Sequence, residues 1–365
     1  MRAAALREGD FLATVHFVAR DLDRSWRDLA ALHETDVDRQ PLRFRGGNNS
    51  WIVQSYLRLA EPLRALGLRA TIGPSLAQDA INVAHRDALS RVSMNYRRHF
   101  VVGVRADRPP IRVARWEIVQ NLLARPAARR RYIPLWPQPG LRARHPQRGN
   151  AIVRIAYFGR TGACPAWVFD AAFHDALRAL GVEFRIQERD WHDYSDVDLV
   201  LSPRVESRTM LRQKPASKLV NAWRAGVPLL ACDEPAFEAL RRTALDYIAI
   251  RTPHDVLAAV QHLRAHPHEY RARMEAGLER GRAFSVAVTR ARWLDLLTRE
   301  ALLDFAATDQ RGSVASAVCR VAWQKCESRW FKSAAHAQRA IAAWREAEPL
   351  TIPAQASLDP AAVAP

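Results

Sequence analysis

The chain has 365 residues, enough for two domains with separate cores, and 48% of them are hydrophobic. No run approaches the roughly 18 apolar residues of a membrane span, and the opening MRAAALREGD lacks the apolar core of a secretion signal. The net charge of +17 points to nucleic acid, an anionic membrane surface or a phosphorylated substrate. Only Lys214, Lys218, Lys325 and Lys332 are lysines among 55 basic residues. So strong an arginine bias raises basicity without selecting a partner. No helix-turn-helix, RNA-binding aromatic motif or zinc finger accompanies the charge, so nucleic acid is not the expected partner. Cys164, Cys232, Cys319 and Cys326 form no CxxC pair and no Cys/His metal spacing. No metal is expected.

From the N-terminus, Phe11 to Val18 reads as a first strand and Asp21 to Leu32 has helical periodicity. Gly46-Gly47-Asn48-Asn49-Ser50 then forms a turn directly before a helix through Ile52, Tyr56, Leu59 and Leu63, which stops at Gly67. Such a turn leaves backbone N–H groups free for a ligand. It is equally a good loop. Short apolar runs at Leu68–Ile72, Ala80–Ala84, Phe100–Val104 and Trp116–Val119 mostly end in polar residues. Alternation with helical segments predicts a doubly wound sheet. His85, Asp107 and Asn121 stand at strand ends, where they either face a ligand or cap a turn. The proline-rich stretch Tyr132 to Pro146 excludes helix and reads as an extended connector between domains.

The second half opens with a strand, Ile152 to Phe158, that ends in Gly159-Arg160-Thr161-Gly162. A helix from Pro165 stops at Gly181, and Val182 to Ile186 is the next strand: a βαβ start with Gly and Arg at its carboxyl end. Asp193 precedes the strand Val197 to Leu201, whose end carries Arg204. Next comes KPASKLVNAWRAGVPLLACDEPAFE, residues 214–238. Pro215 suits a helix start, Gly226 its stop, Val227 to Cys232 a buried strand, and Asp233-Glu234-Pro235 the next helix. Lys214 and Lys218 lie four apart near that helix start, where the dipole also attracts anions. Phosphate binding is one reading and an ordinary solvated helix start the other. A strand at Tyr247–Ile250 and helices at Pro253–Ala265, Pro267–Arg282 and from Val286 follow. Residues 306–350 read as helical, and the Pro/Ala-rich residues 351–365 as a disordered tail.

The 214–238 stretch resembles the donor-binding region of GT-B glycosyltransferases, nearest to the family 4-like (group 1) retaining enzymes. Gly159-Arg160 and the ending Arg282-Ala283-Phe284-Ser285 also resemble that family. Its two glutamates eight apart fall here on Gln213 and Asn221, so this is a divergent branch. The family's lysine after Gly-Arg falls on Cys164, and Lys214 or Lys218 is expected to supply that charge. The resemblance implies an α/β chain of GT-B type: two Rossmann-like doubly wound domains facing a cleft, with a C-terminal helix crossing back to the first. The expected boundaries are 1–140 for the acceptor domain, 141–305 for the donor domain and 306–350 for a helical extension.

What the resemblance implies of function is transfer of a sugar from a nucleotide-diphosphate-sugar to a glycan, glycolipid or protein-linked acceptor, with retention and without metal or other cofactor. Arg160 and Lys218 are the expected catalytic cations. Lys214, Ser217, Asn221, Glu234, Arg204 and Asp193 are expected around the donor. Gly46, Gly47, Asn48, Asp107 and Asn121 are expected on the acceptor side. The basic surface suits peripheral contact with the anionic inner face of a membrane by a cytoplasmic protein. Two alternatives stay open: a non-catalytic nucleotide-sugar or phosphate-binding protein of the same fold, and an Arg-rich nucleic-acid-binding protein.

Overall fold

A computed structural model of the protein describes residues 11–89, 98–206, 208–308 and 318–333. Its two sheets are wholly parallel. The first has six strands in the order β2-β1-β3-β4-β5-β6, with β1 Ala13–Val18, β2 Leu68–Gly73, β3 Ala80–His85, β4 Phe100–Val104, β5 Trp116–Val119 and β6 Arg130–Tyr132. The second has five, in the order β11-β10-β9-β7-β8, with β7 Arg154–Phe158, β8 Glu183–Gln187, β9 Leu199–Ser202, β10 Leu229–Ala231 and β11 Ile248–Ala249. The two doubly wound α/β domains expected of a GT-B arrangement are thus present.

Strand periodicity puts alternate side chains on opposite faces, and parallel sheets bury both. Val15 and Phe17 of β1 join one core with Phe100, Val102 and Val104, while Val18 and Val101 join another. In the second domain Ala156 and Val200 face one way and Ile155, Leu199 and Leu201 the other. The connector passes between domains between Trp136, which is buried in the first core and donates to Ser55 Oγ at 2.8 Å, and Leu141, which packs on the second.

Several expectations need correction. Asp21 to Leu32 breaks into a short helix Leu22–Ser25 and a 3-10 turn Leu29–Ala31. Pro215 lies outside its helix, which runs Ser217–Ala225 and ends on left-handed Gly226 at φ 66°. Strand β6 was not foreseen: its burial pattern lacks the apolar signal because Arg130 and Arg131 reach Glu117 and Glu300. The division at 305 also fails physically. Trp293, Leu296, Leu297 and Ala301 are buried in the first domain's core, with Trp293 against Trp51 of the helix Asn48–Ala65. The chain does cross back, but before residue 305. Of the helical extension, residues 318–333 are helical; 309–317, 334–350 and the tail 351–365 lie outside the described residues.

Candidate active site

Strand order reverses beside β7 in the second sheet, between β7 and β9, the place where open α/β sheets bind ligands. At the end of β7 Gly159 takes φ 133°, a conformation that disfavours any side chain. The following turn is held by the Tyr157 hydroxyl, which donates to the Arg160 carbonyl at 2.8 Å. Over this turn reaches Lys218, one residue inside the helix Ser217–Ala225. Its ammonium sits 3.9 Å from the Tyr157 ring centroid and 3.7 Å from where a Cβ on Gly159 would stand. Burial, with repulsion from Arg204 second, lowers the Lys218 pKa toward about 7. Arg160 is exposed, and its guanidinium has no partner among the described residues.

The ends of β9 and β10 add charge at the same edge. Glu234 is fully buried, and neither carboxylate oxygen has a hydrogen-bond partner among the described residues. Arg204 Nε lies 3.2 Å from Glu234 Oε1, an ion pair without hydrogen-bond alignment. Burial raises the Glu234 pKa, opposed by Arg204 and Lys218. Ser202 Oγ, also buried, has no partner either. Buried polar atoms without partners call for an explanation, and at the carboxyl edge of a sheet a ligand supplies one.

From Glu234 a line of ion pairs crosses to the first domain. Arg204 Nη1 meets Glu206 at 3.1 Å, and Lys214 Nζ lies 3.5 Å from Glu206 and 3.4 Å from Asp107. Arg108 lies 3.5 Å from Asp107 and 3.0 Å from Asp87, which accepts from Asn48 Nδ2 at 2.5 Å. Asn48 opens the helix Asn48–Ala65 after Gly47, at φ 102° with open space where a side chain would be. Gly46 packs instead against Trp191 of the other domain, at 3.1 Å from a built Cβ. The carboxyl edges of the two sheets therefore face each other, joined by alternating charges.

Of the expected site residues, Lys218, Arg204, Lys214 and Glu234 lie in one charged group, with Asn48 and Asp107 at the far end of the network and Arg160 exposed at the end of β7. Other candidates have different duties. Asn121 donates to the carbonyls of Arg212 and Lys214, both at 3.0 Å, and accepts from Leu123 N, so its amide ties the domains. Asn221 accepts from Gln138 N at 3.3 Å, and with Ser217 it lines a small cavity against the connector. Asp193 caps Ser195 and pairs with Arg142 at 2.9 Å, fixing the connector. His85 is buried with Nε2 unpartnered, and burial lowers its pKa to about 4. Sequence reasoning passed over Tyr157, Glu206, Asp87 and Arg108. Glu206, two residues beyond Arg204, and Asp87, in the polar stretch that ends β3, carried a visible signal.

No protein-family model matches the chain, and no curated protein does. Among solved structures it is similar to one from the GtfA/B complex (TM-score 0.47, 11% identity), covering 67% of this chain and 60% of that one. It is also similar to AviGT4, a glycosyltransferase involved in avilamycin A biosynthesis (TM-score 0.47, 14% identity; 81% and 99% covered). A third is Anabaena Alr3699/HepE in complex with UDP and glucose (TM-score 0.48, 12% identity; 78% and 99% covered). Function is therefore argued from the site.

Proposed function

We propose that the chain is a glycosyltransferase whose second domain holds a nucleotide-diphosphate-sugar donor at the end of β7. The observation that carries this reading is the Lys218 ammonium reaching over Gly159, where no side chain blocks the backbone, with the exposed Arg160 next in the chain. A diphosphate seated there meets both cations and the start of the helix Ser217–Ala225. As the anomeric carbon–oxygen bond breaks, its electron pair goes to the leaving diphosphate. Fixed cations aimed at that oxygen lower the barrier. The acceptor oxygen forms the new bond to the anomeric carbon, and its proton passes to the leaving diphosphate. Burial raises the Cys164 thiol pKa, opposed first by the hydrogen bond with Tyr157 and then by the nearby Lys218 ammonium. That proximity supports Lys218 in the role that position 164 cannot fill.

Arg204 and Lys214 form a second rank behind Lys218, and Glu234 is offered to ribose or sugar hydroxyls. The donor is a co-substrate, and the proposal requires no metal or cofactor. The acceptor is a glycan, glycolipid or protein-linked sugar approaching from Gly47, Asn48 and Asp107, with retention of configuration as the family resemblance implies. Peripheral docking on an anionic membrane belongs to the same proposal; no helix among the described residues is long and apolar enough to cross one. A second reading, donor binding without turnover, is favoured by Asn221, whose Oδ1 is occupied by Gln138 N.

Calorimetric titration of UDP, GDP and their sugar conjugates into wild type, Lys218→Ala and Arg160→Ala tests the site. Saturable binding of one nucleotide, weakened roughly a hundredfold by Lys218→Ala, is expected. Silence with every nucleotide sinks the proposal. Binding with no hydrolysis or transfer of the bound sugar selects the second reading.

A further inference from the structure

A cavity of about 440 Å³ lies on the other side of Asn121, at the seam between the carboxyl ends of β4 and β5 and the segment before Lys214. That is the size of a small-molecule site, and too small for a nucleic-acid duplex. Five arginines line it: Arg105, Arg112, Arg125, Arg130 and Arg212. Two carboxylates answer them. Glu117 pairs with Arg130 at 2.5 Å and Glu327 with Arg112 at 2.5 Å. Among the described residues Arg105 hydrogen-bonds to neutral groups, the Arg108 carbonyl and the Gln213 side chain, with Glu117 and Glu327 attracting it at longer range. The guanidinium groups of Arg125 and Arg212 are exposed and without a partner among the described residues. Among the described residues five guanidinium groups thus face two carboxylates, an excess of positive charge around one concavity.

The site is built rather than incidental. Gln120 accepts from Ala106 N at 2.6 Å, fixing the rim beside Arg105 at a residue with φ 52°. Asn121 fixes the opposite wall through its two bonds to the 212 and 214 carbonyls. Planar guanidinium forks match phosphate oxygens two at a time, and they keep their charge at any ordinary pH. We propose that this cavity is a second anion site, separate from the end of β7, that takes a phosphate or diphosphate ester. Both domains contribute to its wall, so an occupant braces them against each other. The assignment does not rest on the glycosyl-transfer reading.

Inorganic pyrophosphate, titrated at low salt into the full chain, reads the site directly. Wild type should bind at two places. Arg125→Ala/Arg212→Ala, both exposed positions, should weaken one of them roughly a hundredfold. Arg160→Ala/Lys218→Ala should leave that one intact. Equal binding by wild type and Arg125→Ala/Arg212→Ala, or no binding by wild type, overturns the proposal. Failure of the nucleotide site alone shows separately, as silence toward UDP with the Arg125/Arg212-dependent binding retained. Flotation with phosphatidylcholine vesicles, with and without phosphatidate, assigns the source of the phosphate. Phosphatidate-dependent binding lost in Arg125→Ala/Arg212→Ala places it on a lipid headgroup. Pyrophosphate binding without vesicle binding places it on a soluble ester.

Discussion

Both sheets reverse direction beside their first strand, between β1 and β3 in one domain and between β7 and β9 in the other. Each therefore offers a crevice at its carboxyl edge. In the first domain the charges there answer one another: Asp87 lies between Arg108 and Asn48, and His85 is buried and neutral. In the second, among the described residues, Arg160 is unpaired, Lys218 hangs over a bare glycine, and Glu234 and Ser202 keep unbonded oxygens. One topology thus yields a compensated crevice beside β1 and an uncompensated one beside β7. Strand order only locates a crevice; the balance of charge decides which crevice is free for a charged ligand.

The domains differ in self-sufficiency as well. The second closes its own cores, whereas the first borrows Trp293 from near the chain's end. Trp293→Ala is expected to cost about 3–5 kcal/mol, as for large core truncations generally. Chemical denaturation followed by domain-specific probes checks it. The loss should appear in the first domain; an equal loss in both would erase the distinction.

Acid should separate the two edges next. His85 falls from 6.5 to about 4 on folding, so between these values the unfolded chain binds the extra proton. Its stability contribution is present above pH 6.5 and is lost as pH falls toward 4, on the order of 3 kcal/mol in all. His85→Gln should remove that part of the acid slope in urea titrations while leaving UDP affinity unchanged. Lys218 behaves in the opposite sense toward its ligand. With its pKa lowered to about 7, the cationic form that binds phosphate is lost as pH rises through that value. UDP affinity should therefore fall above neutrality in wild type. An unchanged affinity from pH 6 to 9 would remove Lys218 from the site.

The elements of the second domain were largely legible because local signals agree there. Thr252 caps and Pro253 opens the helix Pro253–Ala265, and Gly226 ends its helix in the left-handed region. Lys218 was legible because helix spacing and a rare residue type coincided. Tyr157 was not, since within an apolar strand an aromatic reads as core. Asn121 reads as facing a ligand or capping a turn because it ends a strand, and Asn221 as ligand-facing because the resemblance puts a family glutamate there, yet long-range contacts with the other domain and the connector claim their amides. Pairings such as Asp107 with Lys214 join residues 107 positions apart. No local pattern announces them.

That pairing gives the smallest expected effect and the most direct reading of how the two edges are joined. Lys214 is 21% exposed and Asp107 34%, so solvent screens their attraction at 3.4 Å. The neighbouring Glu206, at 3.5 Å from the same ammonium, holds Lys214 in place even when Asp107 is removed. A double-mutant cycle of Lys214→Ala and Asp107→Ala on thermal unfolding should give a coupling of about 0.5–1 kcal/mol, fading in high salt. The same cycle with Glu206→Ala in the background should give a larger coupling, because Lys214 then has Asp107 as its remaining carboxylate. If the coupling is absent in both backgrounds, the charges line the two edges without joining them, and the domains are held together by Asn121 and the packing of Gly46 on Trp191 instead.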